Sequence, residues 1–106
     1  KKNQDDFIIS LFDSPPENYC KPSADPMFRS LAELSIKSLA IILTGIGSDG
    51  LNGAIAMANK GNIIIAQDKE TSVVWGMPGS VANAGICSAI LPLQRIASYI
   101  EKGLFK

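Results

Sequence analysis

The sequence has no histidine among its 106 residues. That removes the commonest general base and metal ligand, so neither Ser48 nor Ser72 has an imidazole in this chain to activate it. Cysteine is scarce. Cys20 and Cys87 are too few and too far apart for a disulfide framework or a metal site. They read as ordinary thiols of a reduced, cytoplasmic compartment. Net charge is absent too: ten acids against ten bases argue against a nucleic-acid or polybasic membrane role. The apolar runs fall far short of the roughly 20 residues that span a bilayer. No signal-peptide layout opens the chain. It begins at Lys1 without a methionine, which suggests a part of something longer.

Charge is also missing locally. Residues 38–59 carry a single charge, Asp49, and residues 71–94 carry none. Surface elements usually show a charged face. These stretches therefore either lie deep in a larger domain or form an interface, and burial favours a missing piece of domain.

What is present reads as one small domain of alternating strands and helices. Residues 1–6 are polar and expected to fray. Residues 7–12 have strand composition and read as a short strand or hairpin arm. Pro15 and Pro16 place residues 13–18 in a loop that continues to residue 24. Asp25-Pro26 resembles an N-cap followed by proline, opening a helix to about Lys37 with Met27, Leu31, Leu34 and Phe28 on its inner face. Residues 39–43 (LAIIL) form an unalternating apolar run, expected to be a strand buried on both faces of a parallel sheet. Residues 50–59 fit a helix with Leu51, Ile55 and Ala58 on one face and Gly53 allowing close packing on the sheet. Residues 62–67 (NIIIAQ) form a second buried strand. Val73-Val74-Trp75 reads as a strand end or loop. A short helix follows, with Pro78 near its start and Gly85 past its end. Residues 86–91 read as a third strand. Residues 93–102 form an amphipathic helix, with Ile96, Tyr99 and Ile100 inward. The predicted class is α/β: a three-layer, doubly wound, mainly parallel sheet.

The turn Thr44-Gly45-Ile46-Gly47-Ser48-Asp49-Gly50 joins the first buried strand to its helix. Gly45, Gly47 and Gly50 satisfy G-x-G-x-x-G, and Asp68 lies 18 residues after Gly50. By spacing alone this is a dinucleotide-binding fingerprint, with Asp68 on the ribose. Asp49 weakens that reading, because a carboxylate inside the loop repels a pyrophosphate or occupies its N–H donors itself. Ser48 or Asp49 as a helix cap is the bland alternative. A carboxylate that orients a histidine is the functional one, since α/β enzymes place catalytic groups at this edge of the sheet.

Four motifs in order carry a resemblance: Lys21-Pro22-Ser23-Ala24-Asp25 with Phe28-Arg29-Ser30, the turn from Thr44 to Gly50, Ala66-Gln67-Asp68, and Ser72-Val73-Val74-Trp75-Gly76-Met77-Pro78. Across residues 14–100 the chain resembles the chemotaxis protein-glutamate methylesterase (CheB) family. The resemblance implies a doubly wound hydrolase-type catalytic domain of which residues 1–106 are the C-terminal part. It implies hydrolysis of glutamate methyl esters on chemoreceptors, with deamidation of glutamines in many members, and no cofactor or metal. The family's triad is serine, histidine and aspartate. The aspartate belongs to the matched turn, which puts that role on Asp49. Ile46, Gly47 and Met77 become candidates for the substrate and oxyanion region. The family has methionine where this chain has Ile46, so a backbone N–H contribution survives and a thioether contact does not. The nucleophile and the histidine lie upstream in the family. The implied partners are therefore the N-terminal half of the catalytic domain, a receiver domain, and methyl-accepting chemoreceptors. A non-catalytic interaction module is the third reading. Trp75 alone reads as a core or interface aromatic, Arg29 as a salt-bridge or cap-contact residue rather than a substrate or receptor contact, and Lys69-Glu70 as a solvated turn.

Overall fold

The computed structural model describes residues 2–3, 6–9, 15–17, 23–34 and 36–103. A short antiparallel hairpin comes first, β1 (Lys2–Asn3) against β2 (Asp6–Phe7). The end expected to fray is thus paired. Of the strand expected over residues 7–12, only Phe7 is in register; Ile8 and Ile9 are exposed and unpaired, and residues 10–12 lie outside the described residues. Pro15 and Pro16 are irregular, as expected, while Glu17 sits in an isolated bridge; most of the remaining loop also lies outside the described residues.

The main unit alternates helix and strand: α1 (Ala24–Ala32), β3 (Leu39–Ile42), α2 (Leu51–Asn59), β4 (Ile63–Gln67), α3 (Gly76–Asn83), β5 (Ala89–Leu91) and α4 (Leu93–Gly103). The three strands run parallel in the order β3-β4-β5. Register puts Ala40 beside Ile64 and Ile42 beside Ala66 on one face. That face meets Phe28 and Ala32 of α1, Ala54 and Met57 of α2, and Val81 of α3 in one buried cluster. On the other face Ile65 is fully buried, and α4 packs along β4 and β5 with Ile96 buried. The result is the expected three-layer, doubly wound parallel sheet. No helix among the described residues is long and apolar enough to cross a membrane.

Three local expectations are corrected. The N-cap of α1 is Ser23, not Asp25, and the helix ends at Ala32 rather than near Lys37. Pro26 is still accommodated, because first-turn N–H groups have no partner within the helix. Second, the inner face of α1 centres on Phe28 and Ala32, while Met27 is 56% exposed. The cause is Gly53. A Cβ there would lie 2.5 Å from Phe28 Cβ, so the missing side chain lets α1 sit directly on α2. Gly53 therefore serves helix–helix packing rather than helix–sheet packing, and the buried positions of α2 are Gly53, Ala54 and Met57. Third, β3 is not covered on both sides. Ala40 and Ile42 are buried, but Ile41 is 37% exposed and Leu43 is exposed beyond it. Among the described residues β3 is an edge strand whose second face is only partly covered.

Candidate active site

The turn after β3 is tied to the segment that enters α3. Gly45 N–H donates to Val74 O (2.9 Å), and Met77 N–H donates to Gly45 O (2.9 Å). Thr44 Oγ1 donates to Val74 O (3.0 Å) and accepts Val74 N–H (2.8 Å). Gly45 and Trp75 form a parallel bridge. These bonds extend the ladder past the ends of the strands, so residues 44–47 and 74–77 share the C-terminal edge of the sheet. Gly76 lies against the turn itself, with Gly47 N only 2.8 Å from where a Cβ would be.

Gln67, at the end of β4, fastens the two segments from beneath. It is 2% exposed. Its Oε1 accepts Thr44 N–H (2.8 Å), its Nε2 donates to Thr71 O (2.8 Å) and Thr71 Oγ1 (3.2 Å), and its backbone carbonyl accepts the Trp75 indole N–H (2.8 Å). A buried amide with all its groups satisfied fixes geometry, and each orphan left behind costs about 1–3 kcal/mol. Gln67→Leu keeps the bulk but strands Thr44 N–H and Thr71 O. In the full-length protein it is expected to lower stability by about 2 kcal/mol in urea denaturation. An unchanged midpoint would mean that water replaces the amide at no cost. Sequence reasoning quoted Gln67 in a motif but missed this role. Its one signal is a polar residue closing an apolar run.

Asp49 does not cap its own helix, and neither does Ser48. The N-cap of α2 is Gly50, at φ 97°, with no side-chain cap. That left-handed backbone suits glycine and strains other residues. The Asp49 carboxylate turns instead to α1. Its Oδ1 accepts from Ser23 Oγ (2.5 Å) and its Oδ2 from Ala24 N–H (2.7 Å). Ala24 N–H is one of the first-turn donors that α1 cannot satisfy internally. Asp25 returns the arrangement: it is 1% exposed, and its Oδ1 accepts the first-turn N–H of Gly53 in α2 (2.6 Å). The two helix N-termini thus lie side by side and exchange carboxylates. Each acid also meets the positive end of its partner's helix dipole. Sequence reasoning singled out Asp49 but assigned no part to Ser23 and only a local cap to Asp25.

The other candidates fall as follows. Ile46 is 81% exposed, and Gly47 is exposed beside it at φ 86°. The backbone N–H groups of Ile46, Gly47 and Ser48 make no hydrogen bond among the described residues. Met77 faces inward: its Sδ packs under Gly45 and its side chain joins the core. Asp68 Oδ1 accepts Thr71 N–H (3.0 Å) and Thr71 Oγ1 (2.6 Å), committing that acid to its own turn. With Gly53 N–H also taken, the ribose acid and one α2 first-turn donor of the dinucleotide reading are engaged within the chain. Arg29 forms a two-pronged bridge to Glu17 (2.8 and 2.6 Å). This hydrogen bonding holds the Glu17 carboxyl below its ordinary range, with nearby Asp49 acting in the opposite sense. The pair is exposed, so it contributes little to stability. Burial raises the Cys87 thiol pKa, so less of it is thiolate. No group of three potential metal-binding side chains occurs among the described residues.

Known proteins resemble this chain in sequence and in fold. The family model described as CheB methylesterase matches residues 3–100. A protein-glutamate methylesterase/protein-glutamine glutaminase of Azospirillum brasilense is 57% identical over 97 residues, which is 90% of this chain and 25% of that protein. A protein of the same description from Paramagnetospirillum magneticum is 54% identical over 98 residues, 92% of this chain and 26% of that one. The crystal structure of the Thermotoga maritima CheB methylesterase catalytic domain superposes with a TM-score of 0.80 at 38% identity, covering 84% of this chain and 48% of that one. The chain therefore spans about a quarter of the length of these curated relatives.

Proposed function

The chain belongs to the CheB methylesterase family, and from that membership we propose that it supplies the aspartate side of a protein-glutamate methylesterase active site. The full-length protein would hydrolyse glutamate methyl esters on chemoreceptors in the cytoplasm, and the primary amides of receptor glutamines by the same route. The observation that carries this proposal is Asp49. Its carboxylate sits at the C-terminal edge of parallel strands, fixed by donors from another helix rather than used to cap its own.

The chemistry is acyl transfer. An upstream serine attacks the ester carbonyl, and an upstream histidine takes its proton. Asp49 accepts the Nδ1–H of that histidine, which fixes the tautomer and stabilises the imidazolium. A carboxylate has about four acceptor positions, and Ser23 and Ala24 each take one, on different oxygens. The oxyanion is held by backbone donors, and the exposed Ile46–Gly47 backbone is the part of this chain suited to that role. Methanol leaves with the histidine proton. Water then hydrolyses the acyl-enzyme to the glutamate carboxylate and free serine. No step calls for a metal or cofactor.

The rest of the catalytic domain fits the uncovered side of β3, where Ile41 and Leu43 are exposed. A receiver domain preceding it is part of the same proposal. The test is methanol release from a methylated receptor. The full-length protein is expected to release it. The 106-residue chain alone is expected to release none, and turnover by that chain would overturn the assignment of Asp49 to a triad.

A further inference from the structure

We propose that Ser23 is a positioning residue for Asp49, acting on the reaction through that carboxylate and not merely on the stability of α1. This rests on the reading of Asp49 as the carboxylate that orients the histidine. Ser23 is the N-cap of α1, with extended backbone (φ −112°, ψ 147°). An N-cap serine normally spends its oxygen on the N–H groups of its own first turn. Here that bond is long: Asp25 N–H lies 3.4 Å from Ser23 Oγ, beyond the usual range for N–H···O. The hydroxyl has one hydrogen, and it points to Asp49 Oδ1 at 2.5 Å. The short bond identifies the main partner as the acid 26 residues away.

The geometry explains why a second donor matters. Ala24 N–H holds one carboxylate oxygen at 2.7 Å. Ser23 Oγ–H holds the other oxygen. With both fixed to one rigid helix end, the plane of the carboxylate is set, and with it the direction from which it accepts a further N–H. Triad chemistry depends on that direction, because a small misplacement of the imidazole is costly.

The test uses the full-length enzyme and steady-state ester hydrolysis. Ser23→Ala is expected to lower kcat about tenfold with KM unchanged, a loss suited to one hydrogen bond to a charged group. Ser23→Gly keeps a good helix start but lacks the hydroxyl; it is expected to fold normally and lose kcat equally. Ser23→Thr retains the hydroxyl and is expected to restore most of the rate. The deciding readout is a double-mutant cycle. In an Asp49→Asn background, Ser23→Ala is expected to cost nothing further, because its effect travels through the acid. An equal fold-loss in both backgrounds overturns the positioning role and leaves the triad reading standing, as does full kcat in Ser23→Gly. Full activity of Asp49→Asn overturns both.

Discussion

Asp49→Asn in the full-length protein is expected to lower kcat for ester hydrolysis by about 10³–10⁴-fold while the protein folds. The hydrogen bonds around the residue explain the combination. Asparagine can offer its carbonyl oxygen to Ala24 N–H, as Oδ2 does now at 2.7 Å. Its amide nitrogen then faces Ser23 Oγ, which can rotate to accept instead of donate. The link between the two segments survives, and the cost in stability is held to about 1 kcal/mol. What does not survive is the acceptor. The second amide hydrogen points where an imidazole N–H would approach, and a donor there selects the wrong tautomer. Steady-state kinetics beside a circular-dichroism melt separates the two effects. Undiminished turnover would reduce Asp49 to a cap on α1.

The same contacts show what the sequence could and could not reveal. The parallel strands were legible because the runs at residues 39–43 and 62–67 are apolar without alternation and a helical stretch separates them. Asp49 was legible as an exception because it is the one charge in 22 residues. Its partners were not, since capping rules are local and its donors lie 25 and 26 residues earlier. The cap of α1 was misassigned for a related reason. Asp25-Pro26 satisfies the local pattern, but the Asp25 carboxylate is drawn to Gly53, 28 residues on. The inner face of α1 shifted from Met27 to Phe28 because a glycine on a different helix decides which side chain can enter. In Gln67 a buried polar residue at a strand end gives no hint that it serves Thr44 and Thr71. Burial of β3 was inferred from composition, which records what the whole domain covers, whereas Ile41 shows what this chain covers by itself.

Gly53→Ala should destabilise the full-length protein by about 2–4 kcal/mol, more than any substitution at Asp49 that keeps its shape. Propensity alone predicts the opposite, since alanine inside a helix is favoured over glycine by about 1 kcal/mol. Packing decides the sign. The new Cβ would lie 2.5 Å from Phe28 Cβ and 3.0 Å from Asp25 O. Phe28 Cβ and Asp25 O are fixed to the α1 backbone, so no rotamer change clears them. Carbon atoms rest about 3.5–4.0 Å apart, and α1 must retreat by about 1 Å. Overpacking of this kind costs about 1–3 kcal/mol. The retreat also stretches the 2.6 Å bond from Gly53 N–H to the buried Asp25 carboxylate. A hydrogen bond to a charged group contributes about 1.5–3 kcal/mol. The effect reaches the proposed site because Ser23 and Ala24, the donors to Asp49, open the same helix. Loss of stability in urea denaturation is therefore expected together with a fall in kcat. A Gly53→Ala protein with unchanged stability and rate would show that α1 moves freely on α2, and that its N-terminus is no rigid clamp for the acid.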